Sequence, residues 1–244
     1  MKNLHPIVKE ILRIVRHPVQ YLLLRGVYNR IRQLEYRSFN RRYYAVEQVA
    51  EYLVGAQVSG DYCEFGVWQG TTFSHAFKMI APLFPGMNFV ALDSFEGLPE
   101  PTGIDALDGY TSHFYKGQFE SSIDAFKRNL RRNGVDLIKV RTVKGWFNET
   151  LSQENAPSTR VDKVAVAWID CDFYESTVPV LDFLTSRVSV GSVLSFDDWH
   201  CYRNHPDFGQ QRAVREWLER NPQLSLSPLL SFGWNGMVFT VTSC

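Results

Sequence analysis

Hydrophobic and polar positions alternate along the chain with two different periods. Short apolar runs, such as DYCEFGV and VAVAWID, indicate buried strands, whereas apolar residues three and four positions apart, as in GQQRAVREWLERNP, indicate helices. From Tyr44 onward these two kinds of segment follow one another with short connections. The last two apolar segments flank WNG, a typical hairpin turn. The pattern therefore predicts an α/β fold with a doubly wound, mostly parallel sheet and an antiparallel hairpin at its end.

Two of the predicted helices have identifiable limits. The segment SSIDAFKRNLRRNGV predicts a helix that stops at Gly134, because glycine adopts the left-handed conformation that ends many helices. The segment VPVLDFLTSRV, residues 178–188, predicts a second helix between the strands VAVAWID and SVLSFDD.

The N-terminal segment differs from the rest of the chain in charge. Helical spacing of apolar residues runs from Leu4 to Val15, breaks at His17-Pro18, and resumes over residues 19–44. Residues 1–43 contain ten Lys and Arg but two Glu, which gives this segment about +8 and leaves about −8 for the remainder. We expect a basic amphipathic helical arm over residues 1–43 and one domain over residues 44–244. The arm is either a helical cap or dimer contact, or a helix pair attracted to anionic lipid.

Composition narrows the class of protein. A hydrophobic fraction of 45%, with 21% charged residues and a net charge of +0, is typical of a globular protein and gives no indication of nucleic-acid binding. The four cysteines show no C-x-x-C spacing, which favours free thiols in a reducing compartment. No apolar run approaches the roughly 20 residues of a membrane span, and no secretory signal is recognisable. We expect a cytoplasmic homo-oligomer, with the arm as its contact to the inner face of the membrane if it binds lipid.

Candidate cofactor ligands follow the first three strands of the domain. The first strand runs into Glu64-x-Gly66-x-x-x-Gly70, which lacks the spacing of a dinucleotide fingerprint. The next strand ends in Asp93, roughly 20 residues past this loop, where a carboxylate can accept from both hydroxyls of a ribose. After the third strand, Trp146 or Phe147 could stack on a purine. The order favours a nucleoside cofactor without a pyrophosphate, such as S-adenosyl-L-methionine, although each glycine alone could serve only turn geometry.

Acidic pairs follow the next two strands. Asp170 and Asp172 come after VAVAWI, and Asp197 and Asp198 come after SVLSF. Because neighbouring parallel strands lie about 4.8 Å apart, both pairs are expected at one edge of the sheet. Carboxylates gathered in this way need compensation, and oxygen ligands favour magnesium, manganese or calcium over zinc. The alternative is that Asp172 or Asp198 caps the helix that follows it.

Several long blocks resemble the macrocin/mycinamicin/novobiocin-type O-methyltransferases, a metal-dependent family that methylates sugar hydroxyls. The resemblance runs from about Tyr44 to the C-terminus. The blocks are EFGVWQGTTF, ALDSFEGLPEP, KGWFNETL, WIDCDFYESTVPVL, SFDDW and GQQRAVREW. The resemblance implies a seven-stranded, Rossmann-like class I methyltransferase fold.

The resemblance also implies roles for individual residues. It implies that S-adenosyl-L-methionine is held by Glu64, Gly66, Gly70, Asp93, Ser94, Gly145, Trp146 and Phe147. It implies that Mg²⁺ or Mn²⁺ is held by Asp170, Asp197 and Asp198, and Asp172 matches the second acidic position of the family. Our hypothesis is that the ion binds two vicinal sugar hydroxyls and lowers the pKa of one, and that Asp172 accepts its proton.

Three features depart from the family and leave the acceptor open. Cys171 stands where glycine is usual, HCYRNHPDFGQQ is longer than the usual connection, and the basic arm has no evident match. The first two departures are expected near the acceptor pocket. The resemblance implies a sugar hydroxyl on a glycan, glycolipid or glycosylated natural product as acceptor, and the arm favours a lipid-linked or surface glycan. Alternatives are methylation of a catechol-like phenol, or a non-catalytic membrane-associated scaffold with this fold.

Overall fold

The computed structural model of the chain describes residues 18–106 and 114–244. The helix expected over Leu4–Val15 lies outside these residues. The chain divides into two compact units, Met1–Arg41 and Arg42–Cys244. Among the described helices, none is both long enough and apolar enough to span a membrane.

One seven-stranded sheet forms the centre of the second unit. Its strands are β1 (Asp61–Phe65), β2 (Phe89–Asp93), β3 (Val140–Lys144), β4 (Val164–Ile169), β5 (Val193–Phe196), β6 (Ser225–Phe232) and β7 (Gly236–Ser243). The strand order is β3-β2-β1-β4-β5-β7-β6, and β7 is antiparallel to both of its neighbours while the other pairs are parallel. The predicted mostly parallel sheet with a C-terminal hairpin is thereby confirmed.

The helices connect these strands. They are α1 (Pro18–Ala56), α2 (Thr71–Ile80), α3 (Ile123–Arg132), α4 (Phe147–Thr150), α5 (Tyr174–Leu184), α6 (Cys201–Asn204) and α7 (Gly209–Arg220). Shorter 3₁₀ turns are Gly103–Ala106, Leu137–Lys139 and Ala156–Thr159. The predicted stop of α3 at Gly134 is confirmed, because Gly134 follows the C-cap with a φ of 76°.

The sheet is buried on both faces. On one face, alternate residues such as Tyr62, Phe89 and Trp168 pack in a cluster with α2, α3 and the last turns of α1. On the other face, residues such as Phe65 and Leu92 pack in a second cluster with α5 and α7. Burial on both faces explains why β2, β4 and β5 consist mostly of apolar residues.

Two helix boundaries differ from the sequence expectation. The helical patterns before and after residue 44 form one continuous helix, α1, because no breaker lies between them. Helix α5 begins at Tyr174 and ends at Leu184, so the expected range 178–188 is wrong by about one turn. The backbone N–H groups of Tyr174 and Glu175 donate to Asp105 at 3.0 and 2.9 Å. This cap comes from a distant loop, so no local signal marks the true start.

Candidate active site

The acidic residues after β4 and β5 lie side by side at the carboxyl edge of the sheet. Ile169 and Phe196 pair in the parallel ladder, and the N–H of Asp197 donates to the Ile169 carbonyl at 2.9 Å. This register places Asp170 next to Asp197, with Asp198 following. Asp170, Asp197 and Asp198 each offer one carboxylate oxygen, and these oxygens lie within 4.8 Å of one another. We call these three residues the acidic cluster.

A buried glutamine forms hydrogen bonds with the backbone at the ends of β4 and β5, next to the acidic cluster. Gln210, at the start of α7, is 1% exposed. Its Nε2 donates to the Ile169 carbonyl at 3.0 Å, and its Oε1 accepts from the Asp198 N–H at 3.0 Å. Both polar ends of the amide are thus used to tie the ends of β4 and β5 to α7. Gln210 was not among the predicted site residues, although it lies in the block GQQRAVREW.

Asp172 occupies a constrained position beside the cluster. Its backbone is in the left-handed region, with a φ of 57°. Its N–H donates to Asp198 Oδ2 at 3.0 Å, and its carbonyl accepts from the Tyr202 hydroxyl at 2.8 Å. Burial, followed by the charges of Asp170 and Asp197, raises the pKa of Asp172 to about 8. Asp172 does not cap α5, because Asp105 does.

Cys171, which lies between Asp170 and Asp172 in the chain, has a buried side chain. Its side chain is 5% exposed and packs in the core on the α5 face, with Sγ 3.5 Å from Thr177 Oγ1. The side chain thus packs in the core, while the backbone lies between Asp170 and Asp172, so the expected proximity of Cys171 to the acceptor pocket stays a prediction. By contrast, the long connection HCYRNHPDFGQQ does reach the site, because it supplies Tyr202 and Gln210.

Arg42 compensates the negative charge of the acidic cluster. One guanidinium nitrogen donates to Asp197 Oδ2, and the other lies 3.5 Å from Asp170 Oδ2. Burial opposes a charge on Arg42, yet the carboxylates, Asp197 foremost, raise its pKa above the ordinary value. Burial in turn raises the pKa of Asp197 and Asp198, and mutual repulsion adds to the effect. The sequence placed Arg42 in the basic arm, and nothing local distinguishes it from the other basic residues there.

The acidic cluster fits a divalent cation on two grounds. Oxygen atoms on opposite sides of an ion lie about 4.2 Å apart for Mg²⁺ and about 4.8 Å apart for Ca²⁺. The three carboxylate oxygens lie within 4.8 Å of one another, which is close enough for them to converge on one such ion. In addition, Asp197 Oδ1 is buried without a hydrogen-bond partner among the described residues. A buried acceptor of this kind needs a ligand, and a cation would supply one.

The loop after β1 is held by the carboxylate of Asp93. Asp93 Oδ2 accepts from the N–H groups of Val67 and Trp68 at 2.8 and 3.0 Å, and Oδ1 accepts from Phe95 at 2.6 Å. Gly66 packs so closely on the end of β4 that a Cβ would lie 1.8 Å from the Asp170 carbonyl oxygen. The loop after β1 is therefore in direct contact with the backbone of Asp170.

The remaining cofactor candidates lie near the same edge of the sheet. Glu64 is 1% exposed and accepts from the Tyr62 hydroxyl at 2.6 Å. Gly70, with a φ of 76°, packs against the ring of Phe126. Ser94 is buried, and its hydroxyl donates to the Gly97 carbonyl at 3.1 Å.

Three further candidates follow β3. Gly145 donates its N–H to the Asp93 carbonyl at 3.0 Å, so this turn lies beside the end of β2. Trp146 is half-buried, and Phe147 packs edge-on against Phe65 with ring centroids 6.0 Å apart. A stacking role for Phe147 therefore competes with its packing against the core.

The strand order and this site define the Rossmann-like fold of class I methyltransferases. Residues 38–224 match the family described as Macrocin-O-methyltransferase (TylF). The match covers more than half of the chain, and the chain belongs to this family.

Three curated relatives align with part of the chain. The chain is 32% identical over 159 residues to the demethyldecarbamoylnovobiocin O-methyltransferase of Streptomyces niveus. The aligned region covers 63% of this chain and 58% of that protein. The chain is 33% identical over 159 residues, with the same coverage, to the 8-demethyl-8-(2,3-dimethoxy-alpha-L-rhamnosyl)-tetracenomycin-C 4'-O-methyltransferase of Streptomyces olivaceus. It is 31% identical over 148 residues to the mycinamicin III 3''-O-methyltransferase of Micromonospora griseorubida. The chain spans less than two thirds of the length of these relatives.

Solved structures agree with this fold. The O-methyltransferase NovP superposes with a TM-score of 0.66 at 27% identity, over 83% of this chain and 80% of that one. The calicheamicin methyltransferase CalS11 superposes with a TM-score of 0.63 at 20% identity, over 98% of this chain and 94% of that one, which is a likeness of fold alone.

Proposed function

We propose that the protein is an S-adenosyl-L-methionine-dependent O-methyltransferase that methylates a sugar hydroxyl, with Mg²⁺ or Mn²⁺ at the acidic cluster. The acidic cluster carries this proposal, because it brings three carboxylates and a buried, unpartnered oxygen to the loop held by Asp93. Family membership supports methyl transfer to oxygen. The name of one relative specifies a rhamnosyl sugar, which supports a glycosylated natural product as the class of acceptor.

The acidic residues divide the chemistry between them. The cofactor supplies a methyl group on a sulfonium, and the cation supplies a Lewis acid for a bound hydroxyl. Asp170, Asp197 and Asp198 hold the cation through one oxygen each. Asp172 accepts the proton of the acceptor hydroxyl, since Tyr202 and Asp198 fix its backbone beside the cluster. A fixed base orients the hydroxyl as well as deprotonating it.

The residues after β1, β2 and β3 would hold the cofactor. Asp93 and Ser94 would contact the ribose, and the turn at Gly145, Trp146 and Phe147 would contact the adenine. Glu64, Gly66 and Gly70 would be the cofactor-binding residues at the end of β1 and in the loop that follows it. The close contact between this loop and the Asp170 backbone supports a methyl donor placed next to the acidic cluster.

The cofactor part is tested by calorimetric titration of S-adenosylhomocysteine, with and without Mg²⁺. We expect binding to wild type and at least about tenfold weaker binding to Asp93→Asn, because a charged acceptor is lost. Asp61→Asn is the matched control, since Asp61 starts β1 at the opposite edge and accepts only from Asn88 among the described contacts. No binding to wild type would contradict the methyltransferase activity.

The acceptor part is tested with a panel of deoxysugar glycosides beside catechol. We expect methyl transfer to a glycoside in the presence of Mg²⁺ or Mn²⁺. Methyl transfer to catechol but to none of the glycosides would contradict a sugar acceptor and indicate a phenol as acceptor. Cofactor binding without transfer to any member of the panel would favour the non-catalytic scaffold.

A further inference from the structure

Arg42 contacts two of the three carboxylates that would hold a cation in the acidic cluster. Its guanidinium bonds to Asp197 Oδ2 and lies 3.5 Å from Asp170 Oδ2. These two residues are two of the three ligands of the proposed cation site. The Arg42 side chain is 24% exposed, whereas that of Asp197 is 2% exposed. Arg42 and Asp170, whose side chain is 26% exposed, are thus the partly solvent-accessible members of this charged group.

The charges in this region limit what can be bound together. Asp170, Asp197 and Asp198 lie within 4.8 Å of one another, and a planar guanidinium already bridges two of them. An ion with oxygen ligands at about 2.1 to 2.4 Å would have to lie between the same carboxylates. The guanidinium and the ion would then share Asp170 and Asp197 at a separation of a few ångströms, and their like charges would repel each other. Simultaneous binding in this geometry is unfavourable.

We propose that Arg42 is an internal counter-ion of the acidic cluster, and that a divalent cation binds there in competition with the Arg42 guanidinium. This inference rests on the proposed function, because it concerns the same cation site. Without the ion, Arg42 relieves the repulsion among buried carboxylates. With the ion, Arg42 leaves Asp170 and Asp197 and the ion takes over their charge. Arg42 is therefore a positioning residue of the site, and it sets the cation affinity.

The competition predicts that removal of Arg42 tightens metal binding. The experiment is calorimetric titration of Mn²⁺ into the EDTA-stripped full-length protein and three variants. For Arg42→Gln we expect a dissociation constant lower by about tenfold or more, because a charge-assisted hydrogen bond no longer has to be broken. Arg42→Lys retains the charge but loses the bridging guanidinium, so we expect its dissociation constant to lie between those of wild type and Arg42→Gln. Arg41→Gln is the matched control, because Arg41 is the preceding, exposed residue of the same helix.

A second measurement shows whether Arg42→Gln folds. Thermal unfolding in EDTA should give a lower Tm for Arg42→Gln than for Arg41→Gln, and Mn²⁺ should raise the Tm of Arg42→Gln more than that of wild type. Damage to the fold alone would weaken Mn²⁺ binding, so it cannot imitate the expected result.

Each other outcome has a definite meaning. Equal or weaker Mn²⁺ binding by Arg42→Gln overturns the competition. Absence of Mn²⁺ binding to both wild type and Arg42→Gln overturns it as well, and also removes the cation from the proposed function. Tighter binding by Arg42→Gln in a protein that transfers no methyl group would support the competition while contradicting the proposed activity.

Discussion

At the scale of single residues, Asp198 has two roles, and the substitution Asp198→Asn distinguishes them. One of its oxygens accepts the Asp172 N–H at 3.0 Å, and its carboxylate is one of the three proposed cation ligands. Asparagine keeps an acceptor for the N–H group but loses the charge. For Asp198→Asn we expect methyl transfer to fall by at least about a hundredfold, with S-adenosylhomocysteine affinity within about twofold of wild type. Single-turnover rates and calorimetry measure the two quantities.

The control for this change is Asp207→Asn, an exposed carboxylate in the connection before α7. It should leave both the rate and the affinity unchanged. If Asp198→Asn and Asp207→Asn transferred methyl groups equally fast, the acidic cluster would have no part in catalysis.

Two glycines provide a matched test of the contact between the cofactor loop and β4. Gly66 has a φ of +88°, and a Cβ there would lie 1.8 Å from the Asp170 carbonyl oxygen, whereas a Cβ at Gly55 meets nothing within 4 Å. We expect Gly66→Ala to lower the free energy of unfolding by about 3 kcal/mol or more, and Gly55→Ala to raise it by up to about 1 kcal/mol. Urea unfolding measures both. Equal stability of Gly66→Ala and wild type is incompatible with this contact.

Residues of the candidate site differ in how far the sequence identifies them. Asp170, Asp197 and Asp198 were recognised because parallel strands end at one edge, so acids after neighbouring strands must approach. Arg42 was not recognised, because it lies 155 residues from Asp197 and reaches it only through the packing of α1. Tyr202 was missed because its hydroxyl binds a backbone carbonyl, an interaction that leaves no pattern in the sequence.

At the scale of elements, the start of α5 depends on Asp105 and should depend on pH. Burial raises the pKa of Asp105 from 3.8 to about 6, although two backbone N–H groups act in the opposite direction. Because the native state keeps this proton to a higher pH than the unfolded chain does, the free energy of unfolding falls as the pH rises from about 4 to about 6. The loss is at most about 3 kcal/mol.

Asp105→Asn isolates this contribution, since asparagine has no proton to lose in this range. Relative to wild type, the variant should gain stability as the pH rises from about 4 to about 7. Urea unfolding of both proteins at intervals across this range measures the difference. A difference that stays constant with pH would mean that Asp105 does not keep its proton in the native state.

The sequence predicted the strands better than the helix ends, for a physical reason. Strands β2, β4 and β5 are buried on both faces, so each appears as a short, mostly apolar run. The hairpin was predicted because its turn signal is local. The start of α5 was not, because its cap is a tertiary contact with Asp105. Local sequence patterns therefore predict which helices and strands form, whereas tertiary contacts determine the residues at which some of them begin and end.

At the scale of the whole molecule, the uneven charge distribution leaves two interpretations of the N-terminal arm, and a vesicle-binding experiment distinguishes a contact with anionic lipid from a helical cap or dimer contact. Arg25, Arg30 and Arg32 are exposed on the N-terminal part of α1. Each basic residue near an anionic surface contributes about 1 kcal/mol, so replacing all three by glutamine should weaken binding by roughly a hundredfold. Co-sedimentation with phosphatidylserine vesicles measures this effect, and phosphatidylcholine vesicles show the uncharged background.

The control variant carries the same charge change elsewhere. Arg128, Arg131 and Arg132 are exposed on α3, and replacing them by glutamine should leave vesicle binding unchanged. Wild-type protein that remains in the supernatant with phosphatidylserine vesicles would exclude the lipid contact.

The most direct test of the whole account is methyl transfer from labelled S-adenosyl-L-methionine to the glycoside panel, after EDTA treatment and again after addition of Mg²⁺ or Mn²⁺. We predict that EDTA abolishes transfer, that the cation restores it in wild type, and that Asp198→Asn is not restored. Transfer that persists in EDTA, or that Asp198→Asn retains at the wild-type rate, would contradict a cation-dependent sugar O-methyltransferase.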